Sequence, residues 1–426
     1  MSTNSIATYW KDLVRSEERA VLFWSFTFFF CLLCGYFVLR PIREQMGVAA
    51  GVENYQWLFS LTLVTMILIQ PIYGKIVSKF PRKTFMPYLF GFFTLFILLL
   101  WILLQSFGQT LFLARLFFVF VSVYNVFTVS LFWSFMADII GAEQGKRLFG
   151  LIAAGGSIGG IVGTQIPILL VEQIGSVNLI LVSFALMVLV LLSLMNLRRF
   201  AVENDPDMEK AVGGSALEGI RMIGRSKLLM QMTTLIVIAT FLGTVLYYLQ
   251  GYFVREQLSD PDQQTKIFSQ INFYTNVMTL FFQFVLTPYL LQRVKIHKIL
   301  AIMPTMLVLV FALVGLVPMI YVALGGIMLQ RSMAYGIMKP PTDWLFTGLD
   351  GETKYKFKNF LDTVIYRTGD TAAQWLNKGF TTFISKNIQL LALIAVVVAI
   401  YWVKNAITVG RLVLAQQAEQ KNTEKA

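Results

Sequence analysis

The chain has 426 residues, of which 57% are hydrophobic and 14% are charged, and its formal net charge is +12. A soluble domain of this size would need more charged surface than this, so soluble classes are excluded. Apolar runs of about 20 residues recur along the chain, which is the length that crosses a bilayer, and they do not alternate as barrel strands do. The composition therefore predicts an all-α membrane protein.

The first apolar run, 21–39, is longer than the core of a signal peptide and is followed by Arg-Pro-Ile-Arg in place of a cleavage site. We interpret it as a retained first span. Eleven further runs follow, so the sequence predicts twelve transmembrane helices. The predicted spans are 21–42, 55–76, 84–105, 110–136, 147–171, 177–198, 227–252, 266–289, 298–319, 320–338, 359–384 and 388–408.

The basic residues are concentrated on one side of these spans. If the N-terminus is cytoplasmic, most of the 35 Lys and Arg residues fall in cytoplasmic segments. The positive-inside rule then predicts a multi-pass protein of the inner (plasma) membrane with both termini in the cytoplasm. Because the basic residues are spread over many loops and do not gather on one domain, no nucleic-acid partner is expected.

The longest polar stretch, 198–227, follows span six and divides the spans into two sets of six. Motifs in the two sets echo each other: span two ends QPIYGKIVSKFPRK and span eight ends TPYLLQRVKIHK, each with Pro before a basic loop. We predict an N-terminal six-helix bundle at 1–198, a cytoplasmic linker at 199–226 and a C-terminal six-helix bundle at 227–426. Two parallel six-span repeats resemble the architecture of the major facilitator superfamily, whose halves rock to give alternating access.

Some small and aromatic residues in the spans suggest packing roles. Gly155, Gly159 and Gly163 in span five are each four residues apart, a spacing that lets helices approach closely. Tyr247 and Tyr248 lie near the outer end of span seven, where an aromatic belt at the membrane interface is expected.

Span eight carries a polar stripe at helical spacing. Ser269, Asn272, Asn276 and Gln283 are separated by three, four and seven residues, so they share one face. Such a stripe could bind a polar ligand or could join helices by hydrogen bonds. The sequence leaves both interpretations open.

Charged residues inside the spans are the main functional candidates, because a charge in mid-bilayer costs about 2.5–3.5 kcal/mol unless it faces a cavity or a partner. Arginines outnumber acidic residues there, which favours a positive cavity and an organic anion as substrate, since guanidinium binds carboxylate or phosphate through two hydrogen bonds. The candidate substrate-binding residues are Arg40, Arg43, Arg115, Asn125, Arg331 and Arg367.

Four acidic residues are candidates for coupling or gating: Glu44, Asp138, Asp362 and Asp370. Asp362 and Asp370 are eight residues apart in span eleven, and Arg367 is three before Asp370, so they lie near one helical face. They could form an internal ion pair or could line the cavity. Arg40 and Arg43 could equally anchor span one at the outer surface.

Several signals of other chemistry are missing from the sequence. GAEQGKR lacks the spacing of a phosphate-binding loop, and Cys31 and Cys34 lie in an apolar helix with no further metal ligand near them. His297 is the only histidine, so no histidine relay or catalytic triad is expected. We therefore predict no enzyme activity and no cofactor, and we expect a monomer in the bilayer with a small-molecule anion as its partner.

Three stretches together resemble the ATP/ADP translocase family of plastids and intracellular bacteria. They are YFVLRPIREQMGV after span one, LFWSFMADIIGAEQGKRLFGLIAAGGSIGG around the end of span four, and LFTGLDGETKYKFKNFLDTVIYRTGD before and within span eleven. The residues that match the family pattern are Leu39, Arg40, Arg43, Glu44, Phe132, Trp133, Asp138 or Glu143, Lys146, Arg147, Leu349, Asp350, Glu352, Lys354, Lys356, Asp362, Arg367 and Gly369.

The resemblance implies a nucleotide antiporter with Arg367 as an anion contact. One position departs from the family, which typically has Lys after the glycine where this chain has Asp370. The leading hypothesis is a secondary active transporter that exchanges an organic anion, such as a nucleotide or another phosphorylated metabolite. The alternative is a proton-coupled carrier of a non-nucleotide solute, with Asp362 or Asp370 as the proton site. A third class, a membrane enzyme or scaffold, lacks a clustered nucleophile or metal set.

Overall fold

The computed structural model is helical over the parts of the chain that it describes, which are residues 14–79, 82–200, 223, 226–346, 357, 361, 365–383 and 387–423. The long helices are α1 (Arg19–Ala49), α2 (Tyr55–Lys79), α3 (Arg82–Phe107), α4 (Leu111–Ile139), α5 (Ala142–Ile174), α6 (Leu179–Leu197), α7 (Lys227–Gln257), α8 (Pro261–Phe281), α9 (Ile296–Leu316), α10 (Ile320–Met333), α11 (Tyr366–Phe383) and α12 (Ile388–Thr423). The helical prediction is confirmed. Most of the predicted linker, together with Lys354, Lys356 and Asp362, lies outside the described residues.

Two helices continue through π-helical turns that the sequence analysis did not predict. α8 runs into a π turn at Phe282–Leu286 and then Thr287–Arg293, and α10 runs into a π turn at Ala334–Met338 and then Lys339–Leu345. The two π turns contact each other. The Thr287 hydroxyl donates to the Gly336 carbonyl at 2.7 Å. A side chain therefore supplies a hydrogen-bond donor to a backbone carbonyl within the second π turn.

Among the described residues, nine helices are long and apolar enough to cross a membrane, and they coincide with predicted spans one to seven, nine and twelve. The helices of the other three predicted spans are α8, α10 and α11. α10 has only 14 residues before its π turn. α8 begins with Asp262 and Lys266, and α11 carries Asp370 and Lys378. Short length in α10 and charged residues in α8 and α11 therefore set these three helices apart from the other nine.

The chain divides into two compact units. Unit 1 comprises 1–50, 64–208 and 258–273, and unit 2 comprises 51–63, 209–257 and 274–426. In unit 1, α1 packs on α4, α5 and α6, and α3 packs on α4 and α6. In unit 2, α7 packs on α10, α11 and α12, and α9 packs on α10 and α12. The units thus repeat the same helix pairings. The predicted division into bundles at 1–198 and 227–426 stays a prediction.

Local sequence sets the ends of individual helices. The Thr110 hydroxyl caps α4 by accepting a hydrogen bond from the Leu113 backbone N–H at 3.3 Å. Gly175 caps the C-terminal end of α5, and its φ of 79° lies in the left-handed region that glycine adopts without strain. The backbone N–H of Gly175 donates to the Val171 carbonyl at 2.8 Å, so this carbonyl in the last turn of α5 has a hydrogen-bond partner.

The glycines of α5 allow close contact with α1, as their spacing predicted. A Cβ atom added at Gly155 would lie 2.9 Å from the carbonyl oxygen of Phe26. Additions at Gly159 and Gly163 would clash with the backbone carbonyls of Phe30 and Cys34. No larger residue could take these positions without separating the two helices.

The tyrosines of α7 do not form the expected aromatic belt. Tyr247 and Tyr248 expose only 9% and 8% of their surface. The Tyr247 ring packs inside unit 2, with its centroid 5.3 Å from that of Tyr55 and 5.6 Å from that of Phe59. The belt prediction is wrong, because position near a helix end does not determine which way a side chain faces.

At least two members of the polar stripe on α8 join helices. The Ser269 hydroxyl donates to the Thr164 carbonyl of α5 at 2.7 Å. The Gln283 amide donates to the Tyr335 carbonyl at 3.3 Å. For these two residues, the structure favours helix joining over the ligand-binding interpretation.

Replacing Gly159 with Val should destabilise unit 1, because the added side chain would overlap the Phe30 backbone. Overpacking of this kind costs about 1–3 kcal/mol. The matched control is Gly150→Val in the same helix, where an added Cβ atom meets nothing within 4 Å. Thermal unfolding of the purified protein should show a lower midpoint for Gly159→Val than for Gly150→Val. Equal midpoints would contradict the packing account.

Candidate functional site

Charged side chains gather where α1 meets α4 in unit 1. Arg43 donates from Nη2 to Glu44 Oε1 at 2.6 Å and from Nη1 to the Ser122 hydroxyl of α4 at 3.4 Å. Arg40 Nε lies 4.0 Å from the same Glu44 oxygen. The Glu44 side chain is 2% exposed, so a single buried carboxylate serves two guanidinium groups.

α4 presents a polar face to this part of α1. The Arg43 Cζ atom lies 5.2 Å from the centroid of the Phe118 ring, one turn before Ser122. Arg115 precedes Phe118 by three residues and Asn125 follows Ser122 by three, so all four positions share one face of α4. The α1–α4 cluster is defined here as Arg40, Arg43, Glu44, Arg115, Ser122 and Asn125.

Positive charge exceeds negative charge in the α1–α4 cluster. Arg40 Nε is buried and forms no hydrogen bond within the described part of the chain, and its 4.0 Å separation from Glu44 is too long for one. Among the described residues, no ion pair is found for Arg115. Arg115 also lies in the second turn of α4, near the positive end of the helix dipole. The arrangement leaves guanidinium donors available to a carboxylate or a phosphate.

Asp138 lies away from this cluster. It follows Asn125 by 13 residues on α4, which places it about 20 Å farther along the helix axis. The structure therefore brings together Arg40, Arg43, Glu44 and Ser122, while Arg115 and Asn125 share the face of α4 that carries Ser122. The predicted role of Asp138 in coupling or gating stays a prediction.

Unit 2 carries its charged candidates on helices that pack against α7. The Arg331 Cζ atom of α10 lies 5.9 Å from the centroid of the Tyr247 ring. The Asp370 carboxylate of α11 accepts a hydrogen bond from the Thr244 hydroxyl at 3.4 Å. Because Thr244 and Tyr247 are three residues apart on α7, Arg331 and Asp370 contact neighbouring positions of one helix.

The remaining candidates of unit 2 are Arg367 and Asp362. The backbone of Arg367 belongs to the first turn of α11, but its side chain lies outside the described residues, as does all of Asp362. Their roles stay predictions, and so do the roles of Arg331 and Asp370 in substrate binding and coupling.

Sequence reasoning missed three residues that contact the charged candidates: Ser122, Thr244 and Tyr247. The helical spacing of Ser122 from Asn125 is a signal that could have identified Ser122. Thr244 and Tyr247 gave no such signal, because the candidates that they contact lie on other helices. Within the described residues, no group of three or more His, Cys, Asp or Glu side chains could hold a metal ion. Several of the charged candidates that the structure describes take part in hydrogen bonds or ion pairs.

Comparison with known proteins identifies the family. A protein-family model described as Major Facilitator Superfamily matches residues 21–347, which is more than half of the chain. The chain belongs to the Major Facilitator Superfamily. A search of curated proteins finds no match.

Solved structures of superfamily transporters have the same fold. An auto-inhibited POT family peptide transporter is 11% identical, with a TM-score of 0.64 over 92% of this chain and 96% of that chain. The nucleoside transporter NupG is 13% identical, with a TM-score of 0.61 over 94% and 99%. A bacterial homologue of the human lysosomal transporter Spinster is 12% identical, with a TM-score of 0.61 over 94% and 98%. At these identities the likeness shows the fold alone.

These matches confirm the predicted all-α, multi-pass membrane protein with a major facilitator fold and identify it as a transporter of that superfamily. The matching family model is that of the whole superfamily. The narrower resemblance to ATP/ADP translocases therefore stays a prediction.

Replacing Glu44 with Gln should destabilise the Major Facilitator fold of unit 1, because Arg40 and Arg43 would lose their shared countercharge. Breaking a buried ion pair from one side costs about 3–5 kcal/mol. The matched control is Glu172→Gln, since Glu172 pairs with Lys266 at 2.7 Å but is 61% exposed. An exposed pair contributes about 0–1 kcal/mol. Thermal unfolding should separate the two variants, and equal losses would contradict the role given to Glu44.

Proposed function

We propose that this superfamily member is a secondary active transporter of an organic anion, and that the α1–α4 cluster holds the anionic group. One observation carries the proposal: the cluster contains three arginines and the single carboxylate of Glu44. Guanidinium binds carboxylate and phosphate through paired, charge-assisted hydrogen bonds. A bound anion would supply the negative charge and the acceptors that Glu44 alone does not provide.

The substrate we propose is a nucleotide or another phosphorylated metabolite, carried by exchange. The motifs around Arg40, Asp138 and Arg367 support this narrower choice, since they resemble those of the ATP/ADP translocases. The similarity in fold to NupG, a nucleoside transporter, is consistent with it. In this proposal gradients and membrane potential drive the exchange, and the protein acts as a monomer in the plasma membrane with both termini in the cytoplasm.

A proton-coupled carrier of a non-nucleotide solute is the second candidate. It rests on Asp370, an acidic residue within α11 whose carboxylate meets Thr244. A carboxylate in such a place could take up and release a proton as the transporter changes conformation. This candidate shares the fold with the first and differs from it in the coupling ion and in the solute.

An anion that binds the α1–α4 cluster should stabilise the native protein. A ligand at 100 times its dissociation constant adds about 2.7 kcal/mol. We expect a thermal shift with ATP, ADP, a sugar phosphate or a small carboxylate, because one of these should satisfy the free guanidinium donors. Arg40→Gln and Arg115→Gln should each weaken binding about tenfold or more, the loss expected for one charged hydrogen bond.

The matched control for this screen is Arg293→Gln, which changes an exposed arginine stacked on Tyr289. Its ligand-induced shift should equal that of the wild type. An anion-induced shift that is unchanged in Arg40→Gln and Arg115→Gln would show that the anion binds elsewhere.

Proteoliposomes can separate exchange from proton coupling. In the exchange mechanism, efflux of a labelled anion needs counter-substrate outside and continues when the pH gradient is collapsed. The exchange that remains in Asp370→Asn should be as insensitive to the pH gradient as that of the wild type, since no proton need bind there. If collapsing the gradient stops accumulation and Asp370→Asn does the same, the proton-coupled candidate replaces the first.

A further inference from the structure

A second set of polar side chains is buried inside unit 2. Thr240 of α7 is 6% exposed, and Gln374 and Asn377 of α11 are 2% and 1% exposed. Within the described residues, hydrogen-bond partners are lacking for Thr240 Oγ1, for Gln374 Nε2 and for both polar atoms of Asn377. A buried polar atom without a partner costs about 1–3 kcal/mol. Several such atoms on two packed helices suggest a ligand that satisfies them.

Two contacts place Thr240 and Asp370 at the interface of α7 and α11, and helical spacing puts Gln374 and Asn377 on the same face of α11 as Asp370. A Cβ atom added at Gly369 would lie 3.3 Å from Thr240, and Asp370 accepts a hydrogen bond from Thr244. Residues 370, 374 and 377 are separated by four and three positions, so they share a face of α11, as 240 and 244 share a face of α7. The α7–α11 cluster is defined here as Thr240, Thr244, Asp370, Gln374 and Asn377.

The kinds of atoms in the α7–α11 cluster restrict the ligand. The atoms without partners include N–H donors on Gln374 and Asn377, an acceptor oxygen on Asn377, and the Thr240 hydroxyl, which can do both. A metal cation needs oxygen ligands and has no use for N–H donors. An anion would be repelled by the Asp370 carboxylate. A hydroxyl group fits, because it donates to a carboxylate or amide oxygen while it accepts from an amide N–H.

We infer that the α7–α11 cluster binds hydroxyl groups of a polyhydroxylated solute, such as a sugar or a ribose moiety. The inference goes beyond the proposed function and concerns unit 2 alone. A site built from buried hydrogen-bonding groups strongly rejects an analogue without the hydroxyl, because those groups are then left unpaired. The cluster would therefore select polyhydroxylated solutes over analogues without hydroxyl groups.

The test measures binding of three probes to the purified full-length protein: ribose 5-phosphate, n-pentyl phosphate and free ribose. The wild type should bind ribose 5-phosphate at least about tenfold more tightly than n-pentyl phosphate, since each added hydrogen bond contributes on the order of tenfold. In Asn377→Leu and in Thr240→Val, the preference for ribose 5-phosphate over n-pentyl phosphate should fall about tenfold or disappear. Affinity for n-pentyl phosphate should stay unchanged, which also shows that the variants are folded.

Thr233→Val is the control, because the Thr233 hydroxyl on the same helix already donates to the Leu229 carbonyl at 2.8 Å. It should keep the wild-type preference. Equal binding of the two phosphates by the wild type, or a preference that survives both cluster variants, would overturn the inference and leave the anion proposal standing. The cluster would then hold water only.

The probes also separate this inference from the anion proposal. If neither phosphate binds but free ribose does, and Asn377→Leu abolishes that binding, the anion proposal fails and the hydroxyl site stands. If none of the three probes binds, both are overturned.

Discussion

A polar group inside a membrane-spanning helix must find its partners within the protein, because hydrocarbon offers none. Glu44 shows how this constraint acts in unit 1. Its carboxylate accepts a hydrogen bond from Arg43 at 2.6 Å and lies 4.0 Å from Arg40. Within the described residues, Arg40 Nε forms no hydrogen bond and no ion pair is found for Arg115. These two guanidinium groups are the physical basis of the proposed anion site.

The same constraint explains why the central helix of each unit carries the polar contacts. α1 packs closely on α5 through glycines such as Gly159, and it meets α4 through Arg43 and Ser122. α7 occupies the corresponding place in unit 2, where its Tyr247 meets Arg331 and its Thr244 meets Asp370. Glu44, Thr244 and Tyr247 are buried by neighbouring helices, and in our proposal polar groups of α1 and α7 bind the solute.

Features that depend on local spacing could be predicted from the sequence. The apolar runs indicated the helices, and the four-residue spacing of Gly155, Gly159 and Gly163 indicated close packing. Features that depend on which helix lies opposite could not be predicted. Tyr247 was expected at the membrane interface but faces Tyr55, because its partner comes from a segment almost two hundred residues away. The π turns likewise depend on contact between two distant helices.

The central claim is that the positive charge left over in the α1–α4 cluster recognises the anionic group of the solute. Saturation kinetics of labelled ADP exchange in proteoliposomes test it most directly, with wild type and Arg40→Gln compared. If the arginine holds the anion, KM rises about tenfold or more in the variant, and excess substrate restores part of the rate. An unchanged KM for every anion that the protein carries would contradict the claim.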